Sequence, residues 1–370
     1  MSDTGFEIFL VTAPGLEPAL LAEARDQGFA AARAVTGGVV VEGGWPEVWR
    51  ANLRLRCASK VLARIGAFRA LHLAQLDKRA RKLDWAAVLR PDLPVRVEAA
   101  CKASRIYHAG AAAQRVATAL HESLGAPLSD EAEICVKVRI DDDLCTVSVD
   151  SSGEPLHKRK HKEAVNKAPM RETMAAAFLR LCGYSGTEPV LDPMCGSGTF
   201  VIEAAEIAAG LAPGRSRAFA FELLAGFDPQ AWDALRAAAP GAPPSLLFYG
   251  SDRDPGAVGM SHANAVRAGV GGITRFTPQA LAACQPPPGP PGLVIVNPPY
   301  GERLGDRKSL MPLYRQLGEV MRSRFSGWRL GLITSDATLA RACALPFAAP
   351  IGPVAHGGLR VSLFLTPPLA

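Results

Sequence analysis

Val190-Leu-Asp-Pro-Met-Cys-Gly-Ser-Gly-Thr-Phe200 decides how this chain folds. An apolar strand ends at Asp192, a turn carries Gly196 and Gly198, and a helical pattern starts at Thr199. Glycines in such a turn let the backbone come close to a ligand, and the helix start offers unpaired N–H groups to its polar atoms. In open α/β sheets this crevice, at the carboxyl ends of the strands, is where ligands sit. No third glycine follows at the spacing of a dinucleotide fingerprint. No Gly-Lys-Ser/Thr follows either, so the loop is not a phosphate-binding P-loop.

Downstream, strands and helices alternate. Strands are expected at 189–191, 246–250, 293–296 and 329–333, helices at 199–209, 255–268 and 310–325, and a closing strand at 359–365. That order predicts a parallel sheet covered on both faces, interrupted by an Ala/Pro/Gly-rich insertion at about 210–245 and a Pro-Gly loop at 285–292. Upstream, a strand (Glu7-Ile-Phe-Leu-Val11), a helix at 16–27 and a second strand (Val39-Val-Val-Glu42) make a small α+β unit. Between 50 and 155 the pattern predicts a helix at 51–65 (Leu53, Val61, Leu62 and Ile65 apolar), a strand at 95–100 and a helix at 111–124. Two further strands, at 134–140 and 144–149, flank an Asp141-Asp142-Asp143 turn.

Two further motifs carry chemistry. Gly250-Ser-Asp252 ends the next strand, where a carboxylate can accept two ribose hydroxyls or cap the helix that follows Asp254-Pro255. Val294-Ile-Val-Asn-Pro-Pro-Tyr300 ends another at the same sheet edge. Two prolines stiffen this turn and aim the Asn297 side chain and the Pro298 carbonyl outward. Both oxygens accept hydrogen bonds from the exocyclic amine of a base, and Tyr300 is expected to stack on a base drawn out of its helix. Such a reaction needs no metal and no covalent nucleophile. Cys195 lies inside the glycine loop, where a small packing residue is expected rather than a nucleophile.

Composition narrows the class. The chain has 370 residues with 48% apolar and 21% charged, which excludes a disordered chain and allows two domains. No run of eighteen apolar residues appears, and the first residues lack the basic start of a signal peptide, so neither a membrane span nor secretion is expected. Eight cysteines form no CxxC pair and share no zinc spacing with the histidines; they read as free thiols of a cytoplasmic protein. Charge is uneven. Residues 50–107 hold 14 Lys or Arg against 4 Asp or Glu, residues 108–157 hold 3 against 9, and a basic run spans 157–162. Such patches suit phosphate backbones, and they equally suit solvated helix faces. On the first reading Arg54, Arg56, Lys60, Lys102, Arg105, Lys158, Arg159, Lys160 and Lys162 are candidate RNA contacts.

Asp-Pro-x-Cys-Gly-Ser-Gly-Thr resembles the cofactor loop of class I S-adenosylmethionine-dependent methyltransferases, and Asn-Pro-Pro-Tyr resembles the motif of enzymes that methylate base amines. With Asn52-Leu-Arg-Leu-Arg-Cys-Ala-Ser59, Asp150 to Arg159, Ala168-Pro-Met-Arg-Glu-Thr173, Phe219 to Glu222, Phe227-Asp228 and Asn297 to Leu304, nearly the whole chain resembles the bacterial 23S rRNA guanine-N2-methyltransferases that carry a THUMP domain. The resemblance implies a Rossmann-like class I methyltransferase domain at 169–370. It is preceded by a ferredoxin-like part at 1–49, a THUMP-like RNA-binding region at 50–155 and a basic linker at 156–168. It implies S-adenosyl-L-methionine as cofactor, held by Asp192, Pro193, Met194, Cys195, Gly196, Ser197, Gly198, Thr199, Asp252, Gln279 and Asn297, with the base held by Asn297, Pro298, Pro299 and Tyr300. Ribosomal RNA is the implied substrate, with tRNA next. DNA adenine methylation and a non-catalytic assembly role are the competing readings. The chain departs from that family at Lys160-His161-Lys162, where Gly-Tyr-Arg is usual, at Gln279, where an acidic residue often meets the adenine, and at His356-Gly357, where Asn-Gly is common.

Overall fold

The computed structural model describes residues 5–29, 31–163, 170–237, 244–300 and 307–370. The expected boundary at 168–169 and the Gly301 to Leu304 end of the Asn-Pro-Pro-Tyr segment lie outside the described residues.

In chain order the first elements are β1 (Phe6–Val11), α1 (Glu17–Asp26), β2 (Arg33–Val35), β3 (Gly38–Gly43), α2 (Trp45–Arg54), β4 (Lys60–Arg69), α3 (Leu73–Ala80), β5 (Val95–Lys102), α4 (Ala109–Leu124), β6 (Ile134–Asp141) and β7 (Leu144–Asp150). Their strands form one sheet, ordered β2-β3-β1-β4-β7-β6-β5. Every pair is antiparallel except β5–β6. The expected Asp turn is there: Asp142 and Asp143, with φ of 50° and 60°, are the two central residues of a tight hairpin between β6 and β7.

The helix expected over 51–65 is corrected. It begins earlier, at Trp45, where the Gly44 N–H is accepted by the Glu47 carboxylate at 2.9 Å, and ends at Arg54. Residues 60–69 are a strand, with buried Val61 and Ala63 alternating with more exposed Lys60, Leu62 and Arg64. The apolar residues at 61, 62 and 65 fit a helical and an extended period alike. Pairing on both sides, with β1 and with β7, decides for the strand.

The later elements are α5 (Glu172–Leu181), β8 (Val190–Asp192), α6 (Thr199–Ala208), α7 (Pro229–Arg236), β9 (Phe248–Asp252), α8 (Pro255–Arg267), β10 (Thr274–Pro278), β11 (Leu293–Val296), α9 (Arg307–Arg324), β12 (Arg329–Thr334), α10 (Ala337–Ala342), β13 (Ile351–His356) and β14 (Leu359–Leu365). The second sheet runs β10-β9-β8-β11-β12-β14-β13. Its first five strands are parallel, and β14 and β13 close one edge antiparallel. Val294 and Val296 of β11 and Leu330 and Leu332 of β12 share a buried core with Tyr314, Leu317 and Met321 of α9. Helix starts are set by Asp-Pro pairs: Asp254 caps α8 and Asp228 caps α7, each with proline in the first turn.

Two compact units emerge, Met1–Thr12 with Ala24–Leu156 and Ser216–Ala238, and Ala13–Glu23 with His157–Arg215 and Ala239–Ala370. Part of the insertion therefore clusters with the first unit. Phe219, Phe221, Phe227 and Trp232 gather there with Trp49 of α2, ring centroids 4.9–6.0 Å apart. No helix among the described residues is long and apolar enough to cross a membrane.

Candidate active site

In the second sheet the chain lays β9 and β10 on one side of β8, and β11 and β12 on the other. Between β8 and β11 the strand order reverses, which opens a crevice at their carboxyl ends. Asp192 pairs with Gly250 across to β9, and Val294 pairs with Leu191 across to β11. The tips carrying Asp192, Asp252 and Asn297 are thus consecutive at one sheet edge.

The glycine loop is tied down from two elements. The Cys195 N–H donates to the Ser251 carbonyl at 2.9 Å and the Gly196 N–H to Asp252 Oδ2 at 3.1 Å. From α8, the Ser261 hydroxyl donates to the Gly196 carbonyl at 2.9 Å and the Asn264 amide to the Ser197 carbonyl at 3.1 Å. Gly198 has a φ of +82°, which side chains rarely adopt, and a Cβ there comes tightly to 3.1 Å from Ser261. As the N-cap of α6 it has no side chain to satisfy the first-turn amides, so the helix start stays open to a ligand. The buried Cys195 thiol packs 3.7 Å from the Ser261 hydroxyl and burial pushes its pKa far up, which is a packing role.

Asp192 is 2% exposed. Burial, and less so the neighbouring Asp252 charge, pushes its carboxyl up to about 8, although the Met194 N–H at 3.0 Å opposes this. Asp252 caps nothing helical itself. Its Oδ1 takes the Asp254 N–H at 3.0 Å and its Oδ2 the Gly196 N–H, which leaves lone pairs for ribose hydroxyls. Gln279 follows β10, its N–H on the Asp252 carbonyl at 2.8 Å, and its side-chain amide NH2 donates to the Ala283 carbonyl at 2.7 Å.

At the tip of β11, Asn297 Oδ1 is buried without a hydrogen-bond partner among the described residues. The other end of the same carboxamide is engaged. Burial pushes the Tyr300 phenol up to about 12, opposed by a hydrogen bond with Asn297, whose unpartnered oxygen leaves the amide NH2 as the donor. Tyr300 is 7% exposed. Its ring, expected to stack on a base, is largely enclosed in this conformation. Tyr314 supports the turn from α9, its hydroxyl 3.3 Å from the Pro299 carbonyl and 3.2 Å from Thr334 Oγ1.

Four of the expected RNA contacts sit in internal pairs or buried positions. Arg159 is buried on the helix bearing Glu203 and Glu206, 2.5 and 3.5 Å from their carboxylates, and Glu206 also takes Arg215 at 2.5 Å. Lys162, 10% exposed, donates to the Thr199 hydroxyl at 2.8 Å and the Met170 carbonyl at 2.9 Å, 3.4 Å from Glu172. It sits at the start of α6, not on the surface. Lys60 pairs with buried Asp150 at 2.5 Å, and Arg56 is buried. A charge run does not reveal carboxylates that fold against it from forty residues away. Lys102, Arg105, Lys158 and Lys160 are exposed, and Arg54 is half-buried.

Replacing Arg159 with Met is expected to cost about 3–5 kcal/mol, because it removes the buried cation that faces Glu203 and Glu206. Denaturant unfolding measures the loss, and adding Glu203→Gln should return part of it. An unchanged midpoint rules out the structural role.

Ser261, Asn264 and Tyr314 were missed from the sequence. A usable signal existed for the first two: polar residues three apart on an otherwise apolar helix face, both fully buried.

Residues 159–348, more than half of the chain, match the family described as the RMKL-like methyltransferase domain. The chain belongs to that family. Residues 7–62 match the RlmL ferredoxin-like domain. The chain is 35% identical to a ribosomal RNA large subunit methyltransferase K/L of Methylococcus capsulatus, over 96% of this chain and 50% of that protein; it thus spans half the length of that relative. It is 29% identical to a Synechocystis protein named as an RNA methyltransferase, over 96% and 95% of the two chains. A methyltransferase crystallised with SAH superposes with a TM-score of 0.89 at 27% identity, covering 100% of both chains. RMKL-like methyltransferases take S-adenosylmethionine, and the residues present fit it. An uncapped helix start beside the Lys162 ammonium suits its carboxylate, and Asp252 suits its ribose.

Proposed function

We propose that this RMKL-like chain methylates the exocyclic N2 of a guanosine in RNA, with large-subunit ribosomal RNA as the first substrate and tRNA as the second. The observation that carries the reading is Asn297 Oδ1, buried and without a hydrogen-bond partner among the described residues, at the strand tip next to the cofactor loop. A buried acceptor without a donor costs stability, and an incoming N–H supplies the missing partner. The names of the relatives, as RNA methyltransferases, support RNA as the bearer of that amine.

When bound, S-adenosylmethionine supplies a methyl group activated by its sulfonium. The protein's part is alignment and exclusion of water. Asn297 Oδ1 accepts an N–H of the base amine, which turns the nitrogen lone pair away from the ring system and toward the methyl. The cofactor that supplies the methyl group would be held by the Asp192 to Thr199 loop and Asp252, and the nitrogen so aligned would give up one of its protons on methylation. Tyr300 fixes the carboxamide so that oxygen rather than nitrogen faces the base, and Tyr314 steadies the Pro299 backbone.

Nucleosides from cells with and without the gene test this by mass spectrometry. Loss of N2-methylguanosine from 23S rRNA is the expected result. Its loss from tRNA moves the assignment to the second substrate. Loss of N6-methyladenine from DNA overturns the RNA reading, and no change in any pool favours a non-catalytic role.

A further inference from the structure

Taking RNA as the substrate, we propose that the open face of the seven-stranded sheet holds an unpaired stretch of that RNA. One face of this sheet is covered: Ile8, Leu10, Val61, Val147 and Val149 are fully buried. The other face carries a cavity of about 550 Å³ whose lining draws on all seven strands.

Strand register divides its floor into two halves. On one half Phe9 stands opposite both Val40 and Leu62, and Arg33 stands opposite Val40. The Arg64 guanidinium lies 5.1 Å from the centre of the Phe9 ring. On the other half Arg64, Ser148, Lys137 and Glu98 form a row across four strands, with Thr146 opposite Arg139 beside it. An apolar, ring-bearing half therefore adjoins a half of cations and hydroxyls.

The charges are mixed but not balanced. Arg33, Arg64, Arg96, Lys137 and Arg139 face Glu7, Glu98 and Asp141. These ion pairs, 2.5 Å for Arg33 and Arg64 on Glu7 and for Lys137 on Glu98, hold the cations extended over the floor. An unpaired polynucleotide matches each part: bases settle on the apolar half, and phosphates and 2′-hydroxyls meet the cations and hydroxyls. A duplex hides its base faces and makes no use of that apolar half. An acidic peptide has no need of the interspersed carboxylates, which suit base N–H groups.

The test uses the full chain and a labelled, unstructured 12-nucleotide RNA, with fluorescence anisotropy followed across salt concentrations. Lys137→Gln with Arg139→Gln is expected to weaken binding roughly tenfold and to lower the salt slope by about 1.4, two cations at about 0.7 each on a single strand. Phe9→Leu is expected to weaken binding several-fold with the slope unchanged. Neither set should alter S-adenosylmethionine affinity, measured by calorimetry. RNA binding by both variants equal to that of the unmodified chain overturns the proposal and leaves the methyltransferase reading intact. If the unmodified chain binds no RNA at all, structured or not, the RNA reading itself falls and takes this face with it.

Discussion

Asn297→Ala should lower the rate of methyl transfer by roughly a thousandfold, with S-adenosylmethionine affinity held within about a factor of two. Fixed, buried acceptors aimed at a reacting group contribute about 10²–10³ in rate, because they need no rearrangement at the moment of reaction. Here the acceptor is already desolvated and has no partner among the described residues, and Tyr300 engages the other end of the carboxamide. Single-turnover rates at saturating cofactor isolate the chemical step from binding. Tyr300→Phe should cost less, about tenfold, since it frees the carboxamide to turn without removing it. An alanine variant that transfers methyl at the unmodified rate to every RNA tried disproves the acceptor role.

Asp192→Asn should weaken cofactor binding, most strongly at pH 8 and above, and, without ligand, leave the fold more stable. Burial raises the Asp192 carboxyl from its ordinary 3.8 to about 8 in the folded chain. The folded state therefore keeps a proton that the unfolded state gives up. Stability is at its fullest below about 4, falls as pH rises, and stops falling above about 8. The asparagine variant lacks that slope, so its melting temperature should match the unmodified chain near pH 4 and exceed it by several degrees at pH 8. Cofactor affinity of the unmodified chain should climb with pH up to about 8, since the cationic cofactor favours the ionised carboxylate. A melting difference that is constant with pH rules out this account.

Much of this site was legible because its chemistry is written in consecutive residues. The loop from Asp192 to Thr199 and the turn from Asn297 to Tyr300 each carry their backbone geometry and their functional atoms within a few positions, so reading order and spatial order coincide. Side chains that act across the fold were hidden. Lys162 reads as one of a basic run, and only folding shows it against Thr199. Tyr314 looks like any apolar member of its helix until Pro299 and Thr334 arrive at its hydroxyl. Helix α5 gave no periodic stripe because Glu172 through Leu179 are all buried, so no polar face alternates with an apolar one. In β10, Thr277, Pro278 and an exposed Arg275 conceal an edge strand.

The place of β4 has a consequence for how the amino-terminal half holds together. Its neighbours are β1, some fifty residues earlier, and β7, some eighty residues later. A cut on either side of it leaves a long row of amide and carbonyl groups bare, ready to pair with another chain. The ferredoxin-like segment and the one after it therefore complete one sheet, and each leaves the other's edge bare when removed.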